Sequence, residues 1–352
     1  MNKSKALRVL RNPKLVTAGV IVTFAAAGIF TLIATRAATY GTSVEAEAGT
    51  RGGAAALATD PNASGGQAVQ FKTADTQPPT GGQDPFGIKQ LYPTLSGGKN
   101  WVSKWNNGKA RDLTGKIDPD DPWSNTVHSD GGNFSTAGDG VLKIGGYQPR
   151  LYINDPAKQD QWRNVEITMY FNRVADDGTA WGGMVAIART SHGTIGSDND
   201  LCDSRGIGSR VRYDGKQDYE KETAHPASSP VQSKTIDGWN ANIRNKWIGY
   251  KYVVYDLPNG NVKLETYLDQ TDGANGGTWN KASEFEDNGN NIGVGGTPCK
   301  GGINPAMRLT AAPTRDGSEH GKPNIAVYFR STGVGNNGGL LYKKGSVREI
   351  AP

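Results

Sequence analysis

Two predicted strands and one turn make up the stretch that decides the fold, Lys246-Trp-Ile-Gly-Tyr-Lys-Tyr-Val-Val-Tyr-Asp-Leu-Pro-Asn-Gly-Asn-Val-Lys-Leu-Glu-Thr-Tyr-Leu-Asp269. Its Asn-Gly pair tolerates the positive φ of a type I′ hairpin turn. The first strand has apolar or aromatic residues on both faces, which predicts a central position in a sheet. The second strand alternates, with Val262, Leu264, Thr266 and Leu268 on one face and Lys263, Glu265, Tyr267 and Asp269 on the other. One dry face and one polar, aromatic face indicate a β-sandwich that binds a ligand on a sheet.

The rest of the chain also has the pattern of an all-β protein. Glycine contributes 48 and proline 18 of the 352 residues, and only 36% of the residues are hydrophobic. Short strand-like runs separated by Asp-Gly and Asn-Gly turns favour a two-sheet jelly-roll sandwich. The last run is predicted to be an edge strand that returns to the N-terminal part. The predicted strands are Trp101–Trp105, Val141–Ile144, Arg150–Ile153, Asn164–Asn172, Ala180–Arg189, Gly208–Tyr213, Trp247–Tyr255, Val262–Leu268, Ala306–Thr310, Ile325–Thr332 and Gly345–Ile350.

Residues 1–38 have the pattern of an export segment. A basic stretch precedes an uncharged run from Leu15 to Thr35. At roughly 20 residues this run is long enough to span a bilayer and exceeds the ~7–15 apolar residues of an ordinary signal peptide. Arg36-Ala37-Ala38 is an imperfect cleavage site. We therefore expect a signal peptide or a membrane anchor, with the remainder of the protein outside the cell or on its surface.

The basic character of the chain belongs to this segment. Six Lys and Arg residues and no acidic residue precede Thr39, so the net charge of +5 for the chain becomes −1 for the remainder. The charge therefore gives no indication of nucleic acid as a partner. In an exported chain, Cys202 and Cys299 are predicted to form a disulfide. Two unpaired thiols are the alternative.

A segment rich in proline and glycine, residues 75–85, is predicted to be a linker. It separates a short β lead-in module, residues 39–74, from a main domain, residues 86–352. Ser43–Thr50 and Ala63–Phe71 resemble the opening strands of carbohydrate-binding modules of families 6 and 35. In those families a Glu-x-Glu pair, here Glu45 and Glu47, helps to hold a structural calcium. The resemblance covers only this edge of the module and implies no sugar site.

Three stretches of the main domain resemble the concanavalin A-like lectin and glucanase sandwiches: Gln161–Phe171, Lys246–Asp269 and Ile325–Arg330. That superfamily includes lectins, laminin-G-like domains, family 16 glucanases and polysaccharide lyases of the alginate-lyase type. The resemblance implies a jelly-roll fold with a glycan ligand. It leaves binding and catalysis both open, because one fold supports many functions.

Binding of a polysaccharide or cell-surface glycan in a groove of one sheet is the first functional hypothesis. Aromatic rings stack on the apolar faces of sugars, and neighbouring polar groups bond the hydroxyls. The candidate binding residues are Lys263, Glu265, Tyr267, Arg330 and Trp181. A non-catalytic adhesion domain that binds protein is an alternative on the same fold.

The second hypothesis is a polysaccharide lyase that cleaves a uronate-containing glycan by β-elimination. Such an enzyme needs a cation for the uronate, a His or Tyr that takes the C5 proton, and a Tyr that protonates the leaving oxygen. The candidate catalytic residues are Arg210, Arg212, Tyr219, His225 and Tyr328, which would face one groove. Val327-Tyr-Phe-Arg330 resembles the Tyr-Phe-Lys-Ala-Gly strand of the alginate-lyase family. The Arg-x-Glu-x-Arg and Gln-x-His motifs of that family are absent from the sequence.

A glycoside hydrolase is less favoured than a lyase. Glu284 and Glu286 would share a face, but the remainder of the family 16 carboxylate pattern is missing, and a solvated turn is the simpler interpretation. The histidines have no zinc spacing. Asp118–Asp121 and Asp198–Asp203 offer oxygen ligands without the spacing of a calcium loop. Apart from a structural calcium, the sequence predicts no cofactor.

Overall fold

The structure is a computed structural model that describes residues 55–59, 62–63, 66–71, 81–179, 182–192, 205–224, 227–235, 243–296, 298, 304–311 and 324–352. The chain forms two compact units, Met1–Thr76 and Gln77–Pro352. No helix within the described ranges is long and apolar enough to cross a membrane.

The described residues contain 21 strands and a 3-10 turn at Ala274–Gly276. In chain order the strands are β1 (Ala55–Thr59), β2 (Gln67–Phe71), β3 (Gly81–Gln83), β4 (Lys89–Gln90), β5 (Asn100–Val102), β6 (Arg111–Asp112), β7 (Ile117–Asp118), β8 (Asp121–Asn125), β9 (Asn133–Thr136), β10 (Val141–Gly146), β11 (Arg150–Asn154), β12 (Val165–Arg173), β13 (Gly183–Thr190), β14 (Gly206–Arg212), β15 (Lys216–Ala224), β16 (Ala227–Thr235), β17 (Trp247–Asp256), β18 (Val262–Asp269), β19 (Asn280–Asp287), β20 (Ala326–Ser331) and β21 (Gly335–Glu349).

In the first unit, β1 and β2 form an antiparallel pair. The second unit consists mainly of two antiparallel sheets. Sheet I has the order β19-β18-β17-β12-β21-β10-β9-β6, with β5 also paired to β21, and sheet II has the order β16-β15-β14-β13-β20-β11-β8-β7. The predicted all-β jelly-roll sandwich is therefore confirmed. A short pair, β3 and β4, begins inside the segment that was predicted to be a linker.

The hairpin predicted for Lys246–Asp269 consists of β17 and β18, and β17 lies between β18 and β12 as expected. Its turn differs from the prediction. The N–H of Gly260 donates to the carbonyl of Leu257 at 2.8 Å, and Gly260 has φ of 78° whereas Asn259 has no positive φ. A type I′ turn needs positive φ at both central residues, and Pro258 fixes a negative φ at the first of them. The hairpin prediction is confirmed, and the turn type is wrong.

A continuous apolar core fills the space between the sheets. Val262, Leu264 and Leu268 of β18 enter it from sheet I, and Val327 and Phe329 of β20 enter it from sheet II. Fully burying one such side chain stabilises the fold by roughly 1.5–3 kcal/mol. The alternation predicted for β18 is therefore confirmed.

Polar groups also lie inside this core, along the line where β15 of sheet II faces sheet I. The Oγ atoms of Ser209 and Thr266 are 2.6 Å apart, and the Tyr219 hydroxyl is 2.9 Å from the Ser283 hydroxyl. Nearby, Nζ of Lys221 lies 2.7 Å from Oδ2 of Asp287, with both side chains fully buried. Each polar group has a partner, so the sheets are joined by hydrogen bonds as well as by apolar contact.

Residues 84–99, called the strap below, cross the outer face of sheet I. The backbone N–H groups of Leu91 and Tyr92 donate to the carboxylate of Glu166 on β12. The Tyr92 hydroxyl donates to Glu265 on β18 at 2.5 Å. The strap therefore covers part of this face and is held to it by two buried carboxylates.

Candidate functional site

The alternation of side chains divides the predicted site residues between two faces. Lys263, Glu265 and Tyr267 alternate with the core residues of β18 and point outward from sheet I. Tyr328 and Arg330 alternate with the core residues of β20 and point outward from sheet II. The two sets therefore lie on opposite sides of the sandwich. The prediction that all of them face one groove is wrong.

Tyr219 requires a second correction. On β15, Gln217, Tyr219 and Lys221 point inward, so Tyr219 belongs to the core between the sheets. Its hydroxyl is occupied by Ser283 and Thr266. A substrate on either outer face cannot reach it. Its predicted catalytic role is therefore not supported.

Arg210 and Arg212 do share the outer face of sheet II, as predicted. Nη2 of Arg210 lies 2.7 Å from Oδ2 of Asp218, and Nη1 of Arg212 lies 3.3 Å from the same oxygen. Arg212 also pairs with Asp214. Burial lowers the pKa of Arg212, but Asp214 and Asp218 outweigh it and raise the pKa above its usual value. Both arginines are ion-paired with carboxylates.

Four other predicted residues lie outside the described residues: Trp181, Cys202, His225 and Cys299. So do residues 1–38, Glu45, Glu47 and the stretch Asp198–Asp203. The predictions made for them stay predictions.

Three arginines form a row across the outer face of sheet II, called the arginine row below. Arg150 on β11 is directly opposite Arg330 on β20, and Arg330 and Arg210 both pair with Val185 of β13. Arg330 is ion-paired with Glu220. The Nε atoms of Arg150 and Arg330 are buried and make no hydrogen bond in the structure. The arginine row therefore contains two buried N–H donors that lack an acceptor.

A cluster of two tyrosines and a histidine lies next to the arginine row. Tyr152 and Tyr328 are opposite one another on β11 and β20, with ring centroids 5.0 Å apart. The ring of His192 is stacked on Tyr152 at 5.9 Å with an interplanar angle of 7°. Nδ1 of His192 is 2.7 Å from the Tyr152 hydroxyl oxygen. We call these three residues the Tyr–His cluster.

The cluster is buried although it faces away from the inter-sheet core. Tyr152 and Tyr328 pack with Val185, Ile187 and Ala326. Burial raises the pKa of both phenols well above the usual value, and each lies close to the charge of Arg330. Both hydroxyls therefore remain protonated at neutral pH and can act as hydrogen-bond or proton donors.

Arg330 keeps its charge beside this cluster. Burial lowers its pKa, but the Glu220 carboxylate and the neighbouring Tyr328 and Glu222 more than offset that effect and raise the pKa above its usual range. The Glu220 pair occupies Nη2 and leaves Nε as the unmatched donor. The guanidinium is therefore a permanent cation with remaining capacity for an anionic acceptor.

Sequence reasoning missed Tyr152, His192, Arg150 and Glu220. The sequence did contain a signal for Tyr152 and Arg150. Arg150-Leu-Tyr152 and Tyr328-Phe-Arg330 are reciprocal patterns in two predicted strands, and an antiparallel pairing of such strands places Arg beside Arg and Tyr beside Tyr. His192 follows β13 in a turn, and no local pattern connects it with β11.

On sheet I, the predicted binding residues have structural partners. Glu265 accepts hydrogen bonds from Tyr92 and Tyr267 and pairs with Lys281 at 2.8 Å. Lys263 pairs with Glu284 at 3.2 Å. Glu284 lies on edge strand β19 and not in a solvated turn. These residues hold the strap and the sheet edge together.

No group of three or more metal-binding side chains occurs among the residues that the structure describes. Asp118, proposed above as an oxygen ligand, pairs with Arg111 at 2.8 Å. Asp121 accepts a hydrogen bond from the indole of Trp101 at 2.8 Å. Both carboxylates therefore have protein partners.

No protein-family model and no curated protein matches the sequence. Among solved structures, the chain is similar to lectin II from Ulex europaeus, with 11% identity, 69% of this chain and 98% of that chain covered, and a TM-score of 0.37. It is similar to a legume lectin-like domain from Entamoeba histolytica, with 11% identity, 60% and 85% covered, and a TM-score of 0.31. It is also similar to lectin I-B4 from Griffonia simplicifolia, with 9% identity, 72% and 100% covered, and a TM-score of 0.33. At 9–11% identity and with TM-scores below 0.5, these likenesses assign no family, site or ligand to this chain.

Proposed function

We propose that the main domain binds an acidic polysaccharide on the outer face of sheet II. The observation that carries this proposal is the pair of adjacent arginines, Arg150 and Arg330, whose buried Nε donors lack acceptors. A uronate carboxylate is a planar acceptor that matches a guanidinium. A polysaccharide supplies such carboxylates along a chain, as the arginine row supplies cations along the sheet.

Tyr152 and Tyr328 are buried beside the row, so their rings are not available for stacking on a sugar. Their protonated hydroxyls can still donate hydrogen bonds there. Solvent still reaches the row, because the side chains of Arg150, Arg330 and Arg210 are 12%, 10% and 13% exposed. The arginines would make the first contact with the glycan.

The test is the binding of polygalacturonate, alginate and neutral dextran to the purified protein by isothermal titration calorimetry. We expect the uronate polymers to bind and dextran not to bind. Arg150→Gln should weaken uronate binding about tenfold or more, since a charge-assisted hydrogen bond contributes roughly 1.5–3 kcal/mol. Added salt should weaken it further.

Lys263→Gln is the matched control, because it removes a cation from the opposite face. It should leave uronate binding unchanged. Equal binding of dextran, unchanged binding by Arg150→Gln, or weaker binding by Lys263→Gln would each contradict a uronate site on sheet II.

β-Elimination on the bound uronate is the second candidate function. It is favoured by the 2.7 Å contact between His192 and Tyr152, with Tyr328 at 5.4 Å from the histidine ring. In such a reaction His192 takes the C5 proton, the C4–O4 bond breaks, and the leaving O4 receives a proton from a tyrosine as a C4=C5 double bond forms. Arg330 would stabilise the negative charge that develops on the carboxylate.

The measurement for this candidate is the ultraviolet absorbance of the unsaturated product. We expect release of that product from a uronate polymer, and a rate at least ~100-fold lower in His192→Gln and Tyr328→Phe. Polymer binding should persist in Tyr328→Phe. If the wild-type protein binds a uronate polymer and releases no unsaturated product, the function is binding alone.

A further inference from the structure

A cavity of about 490 Å³ lies apart from the residues of the arginine row and the Tyr–His cluster. It is lined by the segment before β12, the end of β17 and the segment before β5. Its volume is within the range of small-molecule sites, roughly 300–1,000 Å³. The side chains that line it are almost all polar: Lys99, Arg163, Gln159, Gln161, Asp160 and Asp256.

Hydrogen bonds within the chain fix the loop on one side of the cavity. The carboxylate of Asp155 accepts from the backbone N–H groups of Ala157, Gln159 and Asp160, at 3.1, 2.8 and 3.1 Å. This loop carries the two glutamines and Asp160. Their backbone is therefore organised before any ligand arrives, which lowers the entropic cost of binding.

A single buried carboxylate, Glu349, holds the backbone at both cationic residues of the cavity. It accepts from the backbone N–H of Lys99 at 3.0 Å and of Arg163 at 3.1 Å, and it pairs with Nζ of Lys99 at 3.1 Å. The exposed guanidinium of Arg163 has no ion pair or hydrogen bond with any described residue. Arg163 therefore offers a cation to a ligand.

The Asp256 side of the cavity is already neutralised. Asp256 pairs with the fully buried Arg189 at 3.0 Å and accepts from the backbone N–H of Ala311 at 2.8 Å. A cationic ligand would find no unpaired carboxylate there, and Asp160 is the exposed acid of the lining. The Gln159 amide already donates to the carbonyl of Ala157 at 3.2 Å, so the cavity offers the Arg163 cation, the Asp160 carboxylate and the Gln161 amide.

We propose that this cavity binds a single sugar acid, a polyhydroxylated molecule with one carboxylate. The carboxylate would pair with Arg163 and Lys99, and the hydroxyls would bond to Asp160 and to the amide of Gln161. An apolar ligand is disfavoured because Ala311 is the only apolar residue among those that line the cavity. A multiply charged anion is disfavoured because the exposed carboxylate of Asp160 repels it. The site is independent of the polysaccharide face on sheet II.

The test uses free galacturonate, with glucose as the neutral probe, in isothermal titration calorimetry and saturation-transfer NMR with the whole protein. We expect galacturonate to bind and glucose to bind at least tenfold more weakly. Arg163→Gln should weaken galacturonate binding about tenfold or more. Arg163 is exposed, so this variant should keep its fold.

Arg150→Gln distinguishes the two sites. It should leave galacturonate binding unchanged while it weakens the binding of polygalacturonate. Arg163→Gln should instead weaken the binding of galacturonate. Absence of galacturonate binding, equal binding of glucose, or unchanged affinity in Arg163→Gln would overturn the proposal. Loss of galacturonate binding in Arg150→Gln would place the sugar acid on sheet II instead.

Discussion

Glu166→Ala is expected to lower the free energy of unfolding by about 5 kcal/mol, at the upper limit of single substitutions. Glu166 is buried on the outer face of sheet I and accepts from Lys251, at 2.7 Å, and from Arg348. It also accepts from two backbone N–H groups of the strap. Alanine would leave two buried cations without their counter-ion and would release the strap. Urea denaturation at pH 7 measures the loss.

The pH dependence of this loss identifies its cause. Burial lowers the pKa of Lys251, and Glu166 opposes that effect, so the pKa should fall further in the variant. A lysine whose folded pKa lies below its unfolded value destabilises the fold most at low pH, and this destabilisation declines as pH rises from the folded pKa to the unfolded pKa. The deficit of Glu166→Ala should therefore shrink as pH rises from 7 toward the unfolded pKa of lysine, about 10.4. A loss of less than about 1 kcal/mol, or one that grows with pH, would contradict this account.

Asp287→Ala is expected to cost about 3–5 kcal/mol, because it leaves the ammonium of Lys221 unpaired inside the core. Lys221 also donates to the carbonyl oxygens of Ala306 and Met307, at 3.1 and 2.9 Å, so its head cannot move to solvent without breaking these bonds. Burial lowers the pKa of Lys221, and Asp287 opposes that effect. The measurement is again the urea denaturation midpoint and slope.

Two controls accompany this prediction. The double variant Lys221→Met with Asp287→Leu removes both charges and should recover most of the lost stability, since an apolar pair of similar volume often replaces a buried ion pair without loss. Lys116→Ala breaks the exposed pair with Asp112, in which the side chains are 56% and 63% exposed, and should change stability by no more than about 0.5 kcal/mol. If the double variant is as unstable as Asp287→Ala, the unpaired charge is not the cause.

The sequence predicts the fold best where one face of a strand is apolar. β18 shows this, because its core residues alternate with charged ones over its full length. β15, Lys216–Ala224, escaped notice for the opposite reason. Its inward face carries Gln217, Tyr219 and Lys221, which bond to polar groups of sheet I, so its sequence looks polar on both faces. Polar groups that are satisfied only by distant residues leave no local signal.

The site could be predicted only in part. The alternation of side chains along a strand correctly puts Arg210 and Arg212 on one face of β14, and Tyr328 and Arg330 on one face of β20. It could not tell that β18 and β20 belong to different sheets, because strand pairing is a property of distant segments. The same limit applies to the last strand, which was predicted at an edge and lies between β12 and β10. The export segment lies outside the described residues, and its role stays a prediction.

The position of β21 has a consequence for the biosynthesis of the protein. This strand pairs with β10, β12 and β5, all of which precede it in the chain by more than 150 residues and are therefore synthesised well before it. Sheet II likewise depends on the late strand β20 at its centre. Neither sheet is complete before β20 and β21 have joined it. Completion of both sheets therefore requires contacts between residues far apart in the chain, which is the slow regime of folding.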